Sequence, residues 1–344
     1  MTVDDLTDVD ATQAVDDHNA PQMFITSTGQ IQLRYAIHDV AESFFQKIST
    51  NIEDITAWGD RSNISDSGTA EVHNYPQVKQ ITSGNMLMFY RRGPFNNAKQ
   101  YYKVSSNIGA TWGEPNLLID HGTGYGVYAF VVNNGNQIHI AWNYQDASVN
   151  KRFDIYYMYS DDGGANWKKR DGTAITLPAS PSNADLVFDS GIYQAYCWDI
   201  RLDESNNPYI VFAYKEDPFH EFRYAKYNAG WVTYQITTSR NLYEPADHFY
   251  SGGVVIDPND VSIVYLSKQY EYLEIEKWIS IDYGETWNRD EQITRSSNED
   301  NFRLQVIENY KTDMRLVWCK GVYTGIDAGE WNGFENVSIV TELP

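Results

Sequence analysis

The chain has 344 residues, 47 of them acidic against 26 basic, and a formal net charge of -21 at pH 7; a surface this acidic excludes nucleic acid as the expected partner, because phosphate binding requires a basic face. No apolar run approaches the ~20 residues that span a membrane, so no membrane partner is expected either. With no low-complexity tract or linker-like stretch, the expectation is a single domain over 1–344, residues 1–15 forming an acidic N-terminal segment.

In chain order, strand-like segments fall at 23–25, 31–35, 86–90, 138–142, 155–159, 209–214, 262–266, 275–280, 316–319 and 337–340. Each is short, rich in β-branched and aromatic residues and bounded by Gly, Asn or Asp. Sustained helical periodicity is hard to find, so the fold is expected to be all-β. Cys197 and Cys319 both sit in apolar strand-like runs, which points to buried free thiols rather than a disulfide. Residues 1–17 lack the basic start and apolar centre of a signal peptide, so no N-terminal export signal is expected in this chain.

A repeat sets the architecture. Ser280-Ile281-Asp282-Tyr283-Gly284-Glu285-Thr286-Trp287 fits the pattern Ser-x-Asp-x-Gly-x-Thr-Trp at every position. Residues 160–167 fit with Asn166 for Thr, and residues 105–112 with Asn107 for Asp. The pattern resembles the Asp-box, the hairpin signature of sialidase-type β-propellers. Its physics is structural: Ser and Asp bond turn amides, Gly supplies a left-handed φ, and Trp packs beneath the hairpin. Trp58, Trp112, Trp167, Trp231 and Trp287 recur every 54 to 64 residues, the length of a four-stranded blade with its loops. If each closes a repeat and a last unit runs to Pro344, the chain has six blades. Sites then gather where the first strands of blades line the central channel.

Four residues between Asp16 and Gly93 carry chemistry. His18 and His38 stand 20 residues apart, Tyr75 precedes Pro76, and Arg91 follows Tyr75 by 16 residues. Elimination from a uronic acid needs a cation on the carboxylate, a base for the C5 proton and an acid for the leaving oxygen at C4. Arginine, histidine and tyrosine meet those needs. Arg91 and Arg92, adjacent on a strand, point to opposite faces; Arg91 is assigned to the site and Arg92 to its rim.

Asp16-Asp17-His18-Asn19, His38, Tyr75-Pro76, the strand before Arg91, Gln137-Ile138-His139-Ile140-Ala141-Trp142 and residues 157–167 together resemble the BNR-4 propeller group. Residues 250–258 and 263–267 and the tripeptide Ile275-Glu276-Lys277 extend the likeness downstream. That group contains the ulvan lyases and the rhamnose-glucuronate lyases. The resemblance implies a polysaccharide lyase with His18, His38, Tyr75 and Arg91 as catalytic residues, acting on an anionic polysaccharide outside the cell. It also implies seven blades against the six counted, because members usually carry another blade before Asp-Asp-His-Asn. Asn19, Arg92, Tyr125, Tyr128, His139, Trp142, Gln145, Trp198, Arg201 and His248 are candidate substrate contacts; most lie in or beside predicted first strands. Gln145 departs from several relatives, which carry arginine there. No cofactor is required for the chemistry, while an aspartate-rich turn such as Asp257-Pro258-Asn259-Asp260 is suited to a structural divalent cation.

Two other functions compete. A sialidase-like hydrolase needs three arginines on one carboxylate and a Tyr/Glu nucleophile pair, and its usual Arg-Ile-Pro motif is absent. A non-catalytic glycan-binding propeller, an adhesin, would use the same 10 tryptophans and 26 tyrosines for stacking on sugars.

Overall fold

The five residues from Met86 to Tyr90 are apolar without alternation, the pattern of a strand covered on both faces. They lie in the strand Met86–Arg92, each at 0% exposure. Met86, Met88 and Tyr90 pack toward one neighbouring sheet, Leu87 and Phe89 toward the other. The same arrangement recurs along the chain. In the computed structural model, which describes residues 21–36, 43–66, 71–216, 219–240, 242, 251–308, 310, 314–322 and 336–341, the strands form six antiparallel sheets in chain order.

Sheets I, II, IV and V have four strands, sheet III gains two short ones, and sheet VI has three among the described residues. The first strands are Gln22–Ile25, His73–Gln80, Tyr125–Asn134, Gln194–Leu202, Val254–Asp257 and Asp300–Val306. Successive first strands touch one another from I to VI. Five of the six contribute residues to one cavity, so they surround a common axis. The fold is an all-β propeller with six blades among the described residues, as the repeat count gives, not the seven the family likeness implies.

All ten expected strands are present, with only Ser280 falling outside its strand. The tryptophan count is right but its phase is shifted: Trp58, Trp112, Trp167, Trp231 and Trp287 stand at the turn into each fourth strand instead of closing the blade. Three of those turns are the Asp-boxes. Ser105, Ser160 and Ser280 accept from Gly109, Gly164 and Gly284 amides at 2.9, 2.9 and 2.7 Å. Asn107, Asp162 and Asp282 accept from the amides of Thr111, Asn166 and Thr286 at 2.9, 2.8 and 2.8 Å. Cys197 is buried and Cys319 half-buried, both as free thiols. Among the described residues no helix is long and apolar enough to cross a membrane.

Five buried clusters hold the blades together, one at each seam from I/II to V/VI. Phe44 and Ile64 meet Val78 and Met88 at the first; Val255 and Tyr265 meet Leu304 and Trp318 at the last. At the seam between VI and I no such cluster occurs among the described residues. There Met23 and Ile25, on the face of the first strand turned away from blade II, remain 61% and 57% exposed.

Candidate active site

Tyr75 is placed by an irregularity that its sequence favours. The first strand of blade II pairs with Met86–Arg92 at Asn74↔Arg91 and again at Gln77↔Phe89, so Tyr75 and Pro76 together oppose Tyr90. This is a β-bulge, and proline, having no N–H to donate, fits one. Tyr75 takes a left-handed φ of 54° there, a conformation that disfavours any residue with a Cβ and that the following proline disfavours further. Gln77 clamps the bulge to blade III, donating to Ala129 O at 2.7 Å and accepting from Val131 N at 3.0 Å.

The bulge faces a cavity of about 340 Å³ on the propeller axis, within the range of small-ligand sites. Tyr75, Arg91, Tyr128, Arg152, Tyr196 and Arg303 line it, with Pro21, Gln22, Gln77 and Gln305 among their neighbours. In a chain of net charge -21 this wall holds three arginines and, among the described residues, no carboxylate.

Arg91 is 2% exposed. Its guanidinium lies 4.6 Å from the Tyr128 ring centre and 5.9 Å from that of Tyr75. Gly126 lets it approach: a Cβ on Gly126 would stand 3.4 Å from Arg91 Nη2 and 2.9 Å from Phe95 O. Among the described residues Arg91 has no ion pair, and its buried Nε and Nη2 have no hydrogen-bond partner. Buried guanidinium donors without acceptors are rare and call for an anionic ligand. Tyr128 is braced in turn, donating to Gln145 Oε1 at 2.8 Å while Gln145 donates to Asn150 at 2.6 Å. Arg152 stacks between Tyr128 and Tyr196, 3.9 and 4.3 Å from their centres.

The structure brings together Tyr75, Arg91 and Tyr128, with Gln145 supporting the last. His18, Asn19, His38 and His248 lie outside the described residues. Arg92 points away from the cavity and ion-pairs with Asp66 and Glu71 at 2.8 Å each. Tyr125, at the start of its strand, packs edge-on to Tyr144 at 5.4 Å. Trp198 packs against Tyr196 inside the IV/V core. Arg201 lies at the opposite mouth of the axis, bonded to Asp199 at 3.1 Å and Glu308 at 3.0 Å. His139 and Trp142 belong to the second strand of blade III, Gln137–Asp146, not a first strand, and are 0% exposed. Asp257 Oδ1 accepts from Asn259 N at 2.8 Å, and its Oδ2 from the hydroxyls of Tyr265 and Tyr310 at 3.1 and 2.8 Å. Arg152 and Arg303 were not anticipated; only their arginine identity signalled them.

Two histidines of blade III are held neutral. Burial pushes His139 down to about 3, with Arg170 adding to the shift, and pushes His121 down to about 4 against the pull of Asp120. His139 Nδ1 faces the Tyr157 hydroxyl at 2.6 Å, and Trp142 donates to His121 Nε2 at 3.0 Å. The unfolded chain takes up these protons first, so stability is complete above the free-histidine value of about 6.5 and falls as pH drops below it. Acidification from neutrality to about pH 5 is expected to remove ~2 kcal/mol per histidine. Urea midpoints measured at both pH values check this, and a flat profile would refute it.

Comparisons with known proteins bear on the fold and the family. An ulvan lyase of Alteromonas sp. (strain LOR) is 22% identical over 345 residues, covering 90% of this chain and 70% of that protein. An ulvan lyase of Nonlabens ulvanivorans is 23% identical over 348 residues, covering 88% and 70%. A solved structure of a polysaccharide lyase of the PL25 ulvan lyase family superposes with a TM-score of 0.77 at 17% identity, covering 95% of this chain and 79% of that one. The family model for BNR repeat-containing proteins matches residues 2–239, and the chain belongs to that BNR repeat-containing family.

Proposed function

We propose that this protein is a polysaccharide lyase that cleaves a bond to a uronic acid by β-elimination, in a polymer of the ulvan or rhamnose-glucuronate type. One observation carries the reading: Arg91, buried and without an anionic partner among the described residues, sits beside Tyr75 in a cavity walled by arginine and tyrosine. The curated relatives reported above, both ulvan lyases, support it.

In the scheme, Arg91 pairs with the uronate carboxylate and stabilises the charge that builds on it as C5 loses its proton. His18 or His38 takes that proton. The C5 electron pair forms the C4–C5 double bond, the C4–O4 bond breaks, and Tyr75 protonates O4 or shares that transfer. Pro21, three residues after His18, already lines the cavity. Arg91 supplies the charge neutralisation, so the reading calls for no cofactor. The partner is an anionic polysaccharide met outside the cell. Sialidase-type hydrolysis fits less well despite the three arginines, because no glutamate pairs with tyrosine on the cavity wall among the described residues.

Ultraviolet absorbance of the unsaturated product, followed on ulvan, glucuronan, gum arabic, alginate and pectin, tests the reading. A rise on a uronate polymer is expected. Silence on all of them with binding retained would overturn it in favour of an adhesin.

A further inference from the structure

Among the described residues, three non-glycine residues inside strands hold a left-handed φ at a bulge: Tyr75, Asp154 and Arg303. Asp154 is accounted for by its bonds to the Ser190 amide and hydroxyl at 3.0 and 3.1 Å. Tyr75 serves the site above. Arg303 repeats the Tyr75 arrangement in blade VI: its strand pairs at Phe302↔Cys319 and Gln305↔Val317, so Arg303 and Leu304 together oppose Trp318. Its φ is 52°, and it lines the same cavity.

The Gly252-Gly253 pair explains how the bulge is seated. Arg303 N donates to Gly252 O at 2.6 Å. A Cβ on Gly253, itself at φ 114°, would stand 3.1 Å from Leu304 and 3.7 Å from Arg303 Cα. The glycine pair is thus the bed on which the strained Arg303 turn rests. Backbone strain of this kind costs about 1–3 kcal/mol and persists where the surroundings impose it, typically at ligand sites.

Resting on the lyase reading, we propose that Arg303 is a specificity-determining residue that reads a second anionic substituent, on the sugar next to the uronate held by Arg91. Arg91 and Arg303 come from blades II and VI, so one carboxylate is not required to satisfy both, and a guanidinium fork suits a sulfate ester or a carboxylate equally.

The test uses Arg303→Gly, because glycine accepts the left-handed backbone without strain. Calorimetric binding is compared for uronate oligosaccharides bearing a sulfate ester on the neighbouring sugar, a carboxylate there, or neither. The variant is expected to lose about tenfold or more in affinity for whichever charged form is the ligand, as expected for one charge-assisted contact. The uncharged comparator should change little, and the melting temperature should hold or rise. Gly253→Ala, which disturbs the bed, should show the same selective loss. Equal loss on all three ligands, no loss on any, or a lowered melting temperature for Arg303→Gly would overturn the assignment. Binding with the expected selectivity but without unsaturated product would overturn the lyase reading alone; binding of none by the parent protein would overturn both.

Discussion

Arg91→Ala is expected to lower kcat/KM by at least ~10²–10³-fold, the usual cost of removing a preorganised donor from developing negative charge. Its melting temperature should stay close to that of the parent protein. The two effects separate because Arg91 contributes little to the fold: it forms no ion pair among the described residues, and its buried Nε and Nη2 bond to nothing there. What is lost is the stacking on Tyr128 at 4.6 Å, worth about 0.5–2 kcal/mol. Arg91→Lys should not restore activity, since a point charge cannot reproduce the bidentate fork. Initial rates of unsaturated-product release beside melting curves decide the matter. Near-normal turnover by Arg91→Ala would remove it from the mechanism.

Asp66→Ala should act the other way, on stability before activity. Asp66 follows the last strand of blade I, and the partners of its carboxylate among the described residues come from blade II. His73 Nε2 lies at 3.0 Å, the Tyr90 hydroxyl at 2.8 Å, Arg92 Nη1 at 2.8 Å and Lys103 Nζ at 2.7 Å. Removing one partner of a buried ionic cluster costs about 3–5 kcal/mol, because the remaining charges stay buried uncompensated. That is a large part of the ~5–15 kcal/mol available to a folded domain. Burial alone raises the Asp66 carboxyl, but the bonds from His73, Lys103, Arg92 and Tyr90 outweigh it and hold the group well below the usual carboxylate range. A depressed folded value means that the contribution is complete above about pH 4 and is lost as pH falls below it. The Asp66 loss therefore lies at lower pH than that of the two histidines. Guanidinium unfolding of Asp66→Ala at neutral pH measures the first claim; a difference below ~1 kcal/mol would be a surface pair's value and would refute it.

The strands and the blade count were legible because β-branched and aromatic runs between turn residues, and a tryptophan repeated at blade length, are signals carried within the sequence itself. The phase of the blades was not, since a tryptophan recurring once per blade gives a spacing without saying which strand it precedes. His139 and Trp142 show the cost: assigned near a first strand, they lie in a second strand and are buried. Arg91 and Arg92 were separable from sequence, because alternation sends neighbours on a strand to opposite faces. Arg152 and Arg303 were not. Each reaches the cavity from a different blade, Arg303 through a bulge, and a bulge is fixed by pairing with distant residues that no local pattern encodes. Gln145 was read as a ligand contact, whereas its side chain is spent on holding Tyr128 and Asn150.

The five packed seams have a mechanical consequence. Through those five seams the described parts of the blades lean on their neighbours in chain order, blades II to V each on two of them. In such an arrangement each unit draws its stability from its immediate neighbours. Tyr75 and Arg91 belong to blade II, whose two seams are both packed, and Arg303 to blade VI. Both sides of the wall that carries Tyr75 and Arg91 are therefore buttressed, which holds those two side chains at a fixed spacing.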